Sequence, residues 1–95
     1  MINEELLLLN GYKYFKDIEP NLEIYRRCDK FYQKKLSEFS TINVYYYDKF
    51  KENGALDYDY EFELLQEFDN HWKSTIVYGA NKKMTLEEIE ELLLM

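Results

Sequence analysis

The 95-residue sequence predicts an α+β fold: an antiparallel four-stranded sheet with a C-terminal helix packed on one face and a short N-terminal helix. Three stretches predict it. Residues 57–64 read Asp-Tyr-Asp-Tyr-Glu-Phe-Glu-Leu. Successive side chains of an extended strand point to opposite faces, so Asp57, Asp59, Glu61 and Glu63 share one face while Tyr58, Tyr60, Phe62 and Leu64 share the other. Residues 41–48 alternate in the same way, with Ile42, Val44 and Tyr46 set against Asn43, Tyr45 and Tyr47. Thr85 and Glu88 have the spacing of a capping box, and Leu86, Ile89, Leu92 and Leu93 form one apolar stripe among glutamates.

From the N-terminus, Asn3 is placed to cap a short helix over residues 4–9, with Glu4 and Glu5 complementing the dipole of its first turn and Asn10-Gly11 as its stop. Residues 12–16 fit an extended segment, and residues 17–21, with the sole proline, read as a connection. Residues 22–39 fit two patterns. Leu22, Tyr25, Cys28, Tyr32, Leu36 and Phe39 follow helical spacing, whereas residues 29–36 also read as a strand with Lys30, Tyr32, Lys34 and Leu36 on one face. The strand is favoured, because residues 37–40 look like a turn that returns residues 41–48 against it. Residues 49–56, containing Asn53-Gly54, lead into the acidic strand of residues 57–68. Asp69-Asn70-His71 then turns into a strand whose inward set is Trp72, Ile76 and Tyr78. The expected core joins Ile42, Val44, Tyr46, Tyr58, Tyr60, Phe62, Leu64, Trp72, Ile76 and Tyr78 to Leu86, Ile89 and Leu93 of the covering helix.

Residues 1–95 make a single acidic domain, since a chain of this length has no room for a second core. Ten Tyr, six Phe and one Trp against two Ala predict an interior of large rings. The formal charge of -7 argues against direct attraction to nucleic acid or anionic lipid and for a positively charged partner. Cys28 is the one cysteine, so no internal disulfide forms and a reducing cytoplasm is the expected location. Residues 1–11 have no basic n-region, and the apolar run 6–9 is shorter than a signal core or a membrane span, so neither is predicted.

The inventory of chemistry points away from an enzyme. One histidine, His71, and one cysteine do not build the usual zinc sites, and Gly11, Gly54 and Gly79 fall in no phosphate-binding or nucleophile motif. A Cys28–His71 dyad competes with the commoner reading of a lone cysteine as a small buried hydrophobe. Asp57, Asp59 and Glu61 could serve a magnesium-dependent nuclease, but carboxylates in a row on one strand diverge instead of converging on an ion. No catalytic residue, metal or cofactor is therefore predicted. The acidic face has two readings: a solvated outer surface, or a ridge of Asp57, Asp59, Glu61 and Glu63, extended by Glu67 and Asp69, that enters a basic groove of a partner in the manner of a DNA mimic. Tyr45 and Tyr47 stand beside the ridge as candidate anchors. The cations Arg26, Arg27, Lys30, Lys34 and Lys35 form a patch whose simpler role is to pair with that ridge or with a second subunit, so self-association stays open.

Phe31-Tyr32-Gln33-Lys34-Lys35, Ile42-Asn43-Val44-Tyr45-Tyr46-Tyr47-Asp48, Tyr60-Glu61-Phe62-Glu63 and Met84-Thr85-Leu86-Glu87-Glu88-Ile89-Glu90-Glu91 together resemble small proteins encoded by phages and prophages of low-GC Gram-positive bacteria. The resemblance covers residues 31–95, except that the turn 37–40 lacks the glycine of that group. It implies the strand reading of residues 29–36 and a phage-type origin. By analogy of size, charge and origin, it implies an inhibitor of a host defence protein that binds nucleic acid, of the anti-CRISPR kind, acting on a basic groove such as that of a CRISPR effector in the host cytoplasm. The alternatives are a phage structural or assembly accessory and a metal-dependent nuclease.

Overall fold

The structure is a computed structural model and describes residues 2–14, 30–46, 60–77 and 84–95. Helix α1 (Glu4–Leu9) leads into strands β1 (Lys13–Tyr14), β2 (Lys30–Ser37), β3 (Ser40–Tyr46), β4 (Tyr60–Phe68) and β5 (His71–Val77), and helix α2 (Leu86–Leu94) follows. The strands form one antiparallel sheet in the order β1-β2-β3-β4-β5. The α+β class with one antiparallel sheet is as the sequence predicts, but the sheet has five strands instead of four. The added strand is β1, two residues of the extended segment after α1, which pairs Lys13 with Gln33 and Tyr14 with Tyr32. No helix among the described residues is long and apolar enough to cross a membrane.

Both helix termini form as their caps dictate. Asn3 Oδ1 accepts from the Leu6 N–H at 2.8 Å, satisfying a donor that the first turn leaves without an intrahelical partner. Gly11, at φ 91°, ends α1 in the left-handed region, and the Tyr12 N–H returns to the Leu7 carbonyl at 3.0 Å. Thr85 and Glu88 form the reciprocal capping box at the start of α2. Leu86, Ile89 and Leu93 are buried, whereas Leu92, expected in the same stripe, is exposed.

Residues 30–37 form strand, in line with the strand reading of residues 29–36, while residues 22–29, with Leu22, Tyr25 and Cys28, lie outside the described residues. Register then sorts every side chain. Tyr32, Val44 and Phe62 lie opposite one another across β2, β3 and β4, as do Lys34, Ile42 and Leu64. Tyr32, Ile42, Val44, Tyr60, Phe62 and Leu64 pack with Ile2, Leu7 and Tyr12 and with the buried side chains of α2, so the expected phase of the two central strands is correct. The phase of β5 is not. Phe68 pairs directly with His71, which makes the turn two residues, Asp69 (φ 47°) and Asn70 (φ 68°), instead of three. Both angles are positive, as a type I′ turn requires and as Asp and Asn tolerate. Moving the start of the strand by one residue exchanges its faces. Trp72 and Ile76 accordingly lie on the face away from the helices, Trp72 is 60% exposed, and Val77 packs on the core instead. Tyr58 and Tyr78 lie outside the described residues.

Two buried tyrosines tie the helices to the sheet. Tyr12 Oη donates to Glu90 Oε2 of α2 at 2.8 Å, where Lys34 Nζ also binds at 3.1 Å and rides 5.3 Å above the Tyr12 ring. Tyr32 Oη donates to Glu4 Oε2 of α1 at 2.5 Å, with Lys30 at 3.8 Å from the same oxygen. Lys30 and Lys34 thus serve helix carboxylates and not the acidic strand, while Arg26 and Arg27 lie outside the described residues. Burial, then the bond to a carboxylate, pushes both phenol pKa values well up. The folded state holds these protons above pH 10, where an unfolded tyrosine loses its own, so this contribution is complete below about pH 10 and declines as pH rises further. In an alkaline titration, the tyrosinate absorbance of Tyr12 and Tyr32 is expected to appear only together with loss of the sheet signal. Ordinary titration of every tyrosine in the intact fold would contradict it.

Candidate partner-binding surface

On the face of the sheet away from the helices, the described part of the acidic strand does not present a row of solvated carboxylates. Glu61 is 1% exposed and Glu63 9%. Their phase is as expected, opposite to Phe62, but their surroundings are not. Phe31 and Tyr45 are buried on the same face with ring centroids 5.2 Å apart, and Asn43 is buried beside them. Glu63 Oε1 accepts from Tyr45 Oη at 2.7 Å and from Asn43 Nδ2 at 3.2 Å, and its Oε2 accepts from Ser74 Oγ at 2.6 Å. Gln33 Nε2 donates to Asn43 Oδ1 at 2.9 Å. One polar chain therefore crosses the sheet from β2 to β5, and each step is a cross-strand or diagonal neighbour. A buried carboxylate persists where donors replace its lost water, and Glu63 has such donors on both oxygens.

The expected exposure of two ridge residues and of one anchor is corrected by this arrangement. Glu61 and Glu63 are interior groups, and Tyr45 spends its hydroxyl on Glu63 with its ring buried, so it is not an exposed anchor. Asp57, Asp59 and Tyr47 lie outside the described residues. Glu67 and Asp69 remain accessible, and they stand where two hairpin turns meet. Glu38 and Phe39 turn β2 into β3, Asp69 and Asn70 turn β4 into β5, and the Glu67 N–H donates to the Phe39 carbonyl at 2.9 Å, holding the two turns side by side. The glycine absent from the first turn is not needed there. Neither Glu38 nor Phe39 has a positive φ, and a register shift between Lys35 and Ser37 absorbs the local twist.

At this end Phe39, Glu67, Phe68, Asp69 and Asn70 line an open cleft of about 540 Å³. Phe39 and Phe68 are 54% and 53% exposed, with Glu38 and Asp69 in solvent beside them. Trp72 lies opposite Glu67 on the adjoining sheet face. Two exposed aromatic side chains that share one cleft make this end of the sheet a candidate contact surface. Their signal in the sequence is modest: Phe39 sits inside a turn and Phe68 is the last strand residue before one. No group of three or more His, Cys, Asp or Glu side chains that could hold a metal ion occurs among the described residues. No protein-family model, curated protein or solved structure matches the chain.

Proposed function

We propose that the chain is an acidic binding protein whose working surface is the hairpin end of the sheet, and that its partner presents a basic groove. The observation that carries this reading is one cleft lined by exposed Phe39 and Phe68 together with Glu67 and Asp69, with Glu38 in solvent in the adjacent turn. Aromatic anchors supply contact area, and surrounding carboxylates supply long-range attraction and orientation toward Lys and Arg. A groove built for phosphates offers such cations, so the anti-CRISPR-like inhibitor of a host nucleic-acid-binding defence protein, acting in the host cytoplasm without turnover, is the form of the reading that suits the chain's charge and its phage-type resemblance. With Glu61 and Glu63 interior, the mimic is a compact acidic and aromatic knob, not an extended row of charge.

The test is competition. A purified CRISPR effector is titrated with the chain in the presence of labelled target DNA, and stoichiometric loss of DNA binding is expected. The paired change Phe39→Ser and Phe68→Ser should weaken inhibition at least tenfold with little change in stability, because both rings stand in solvent. Glu67→Gln with Asp69→Asn should flatten its dependence on salt, and Asn keeps a residue that tolerates the positive φ of the turn. Undiminished inhibition by both variants would place the working surface elsewhere. Cleavage of the DNA with loss on chelation would replace binding by catalysis.

A further inference from the structure

The two edges of the sheet are unequal. β1 is two residues long, whereas β5 spans His71–Val77 and, among the described residues, pairs only with β4. Its two-residue turn fixes which backbone groups remain. In such a hairpin the closing pair, Phe68 and His71, exchanges both hydrogen bonds, and bonded pairs then recur at every second residue. His71, Lys73, Thr75 and Val77 therefore bond inward to β4, and the N–H and C=O groups of Trp72, Ser74 and Ile76 point out from the edge. A long edge of this kind is a template for another strand.

We infer that β5 pairs antiparallel with β5 of a second copy of this chain about a two-fold axis at Ser74. Three features of the strand select that partner and that register. Hydrogen-bond parity requires outward residues to face outward residues, and centring on Ser74 engages all three: Trp72 faces Ile76 of the copy, and Ser74 faces its own equivalent. The same register lays the 60% exposed indole of Trp72 across the half-buried Ile76 on one face of the joined sheet, an aromatic and β-branched pair, with only a small serine at the axis. Charge agrees as well. β5 contains no acidic residue, and this register sets Lys73 against Thr75, whereas a shift to centre on Lys73 would set two lysines against each other. The overall charge of -7 opposes association, but none of it lies on the joining strand. In the dimer the two acidic hairpin ends point in opposite directions along a continuous sheet, so the inference adds a second, separate surface to the partner-binding end and stands without it.

Sedimentation of the purified chain, from low micromolar to near-millimolar concentration, should show a monomer converting to a dimer. A monomer throughout that range overturns the inference. Ser74→Pro removes an outward N–H and leaves the inward ladder intact, a position at which an edge strand accepts proline. It should sediment as a monomer with the sheet signal retained. Ser74→Ala, which loses only the hydroxyl bond to Glu63, should still dimerise. Dimerisation by the proline variant would show that another surface is used. Amide exchange on the unaltered chain decides the matter even if the proline variant does not fold: Trp72, Ser74 and Ile76 should become protected as concentration rises, while Lys73 and Thr75 change little. Concentration-independent exchange at all three overturns the inference.

Discussion

Phe62→Ala is expected to lower the free energy of unfolding by about 3 to 5 kcal/mol, the usual cost of removing a buried phenylalanine and leaving a cavity. Phe62 is fully buried at the centre of the sheet, with Val44 opposite on one side and Val77 on the other, beneath the apolar face of α2. Relaxation cannot easily refill the site. Its strand is held on both sides, and the neighbouring core residues Tyr32 and Leu64 are themselves fixed by pairing. Domains of this size have about 5 to 15 kcal/mol in total, so the variant should be largely unfolded by modest heating. In urea, the midpoint should fall with the slope unchanged. A loss below about 1 kcal/mol would mean that Phe62 is not in the core.

Strict alternation makes this residue legible in the sequence alone. A period of two assigns each side chain to a face, and in β3 and β4 one face is so evidently apolar that the assignment has no competitor. The capping box at Thr85 and Glu88 and the Asn3 cap were legible for a similar reason, since their chemistry is local. What alternation does not encode is the surroundings of the second face. Glu61 and Glu63 read as solvated because carboxylates usually are, and nothing within residues 57–64 announces that Tyr45, Asn43 and Ser74, outside that segment, supply the donors of Glu63. The inverted phase of β5 has a different origin. Asp69-Asn70-His71 admits a turn of two or of three residues, and that single choice decides which side Trp72 faces. The roles of Tyr12 and Tyr32 were hidden because a tyrosine on an apolar face looks like any other core ring until its hydroxyl finds a helix carboxylate. The hairpin end was legible only in part: Glu67 and Asp69 were in the expected acidic set, but Phe39 and Phe68 become a surface only when register brings two turns together.

Glu63→Ala is expected to destabilise the chain by about 2 to 4 kcal/mol, and it separates a structural carboxylate from a binding one. In an exposed ladder, neutralising Glu63 would relieve repulsion and hold or raise stability. Buried and bonded, it should do the reverse. Truncation leaves Tyr45 Oη, Asn43 Nδ2 and Ser74 Oγ facing a cavity, and a donor stripped of its acceptor in the interior retains its full desolvation cost. Glu63→Gln should be milder, at about 1 kcal/mol, because the amide oxygen still accepts from Tyr45 and Asn43 while the amide nitrogen can donate to the Ser74 hydroxyl, which then accepts. Glu67→Ala at the hairpin end, with its carboxylate not enclosed by such a network, should stay within about 0.5 kcal/mol. Urea unfolding should rank Glu63→Ala as the most destabilised, Glu63→Gln next and Glu67→Ala least, the signature of a carboxylate chain that holds four strands in register. Equal and small losses in all three variants would return Glu63 to the surface and restore the extended acidic ridge as the binding element.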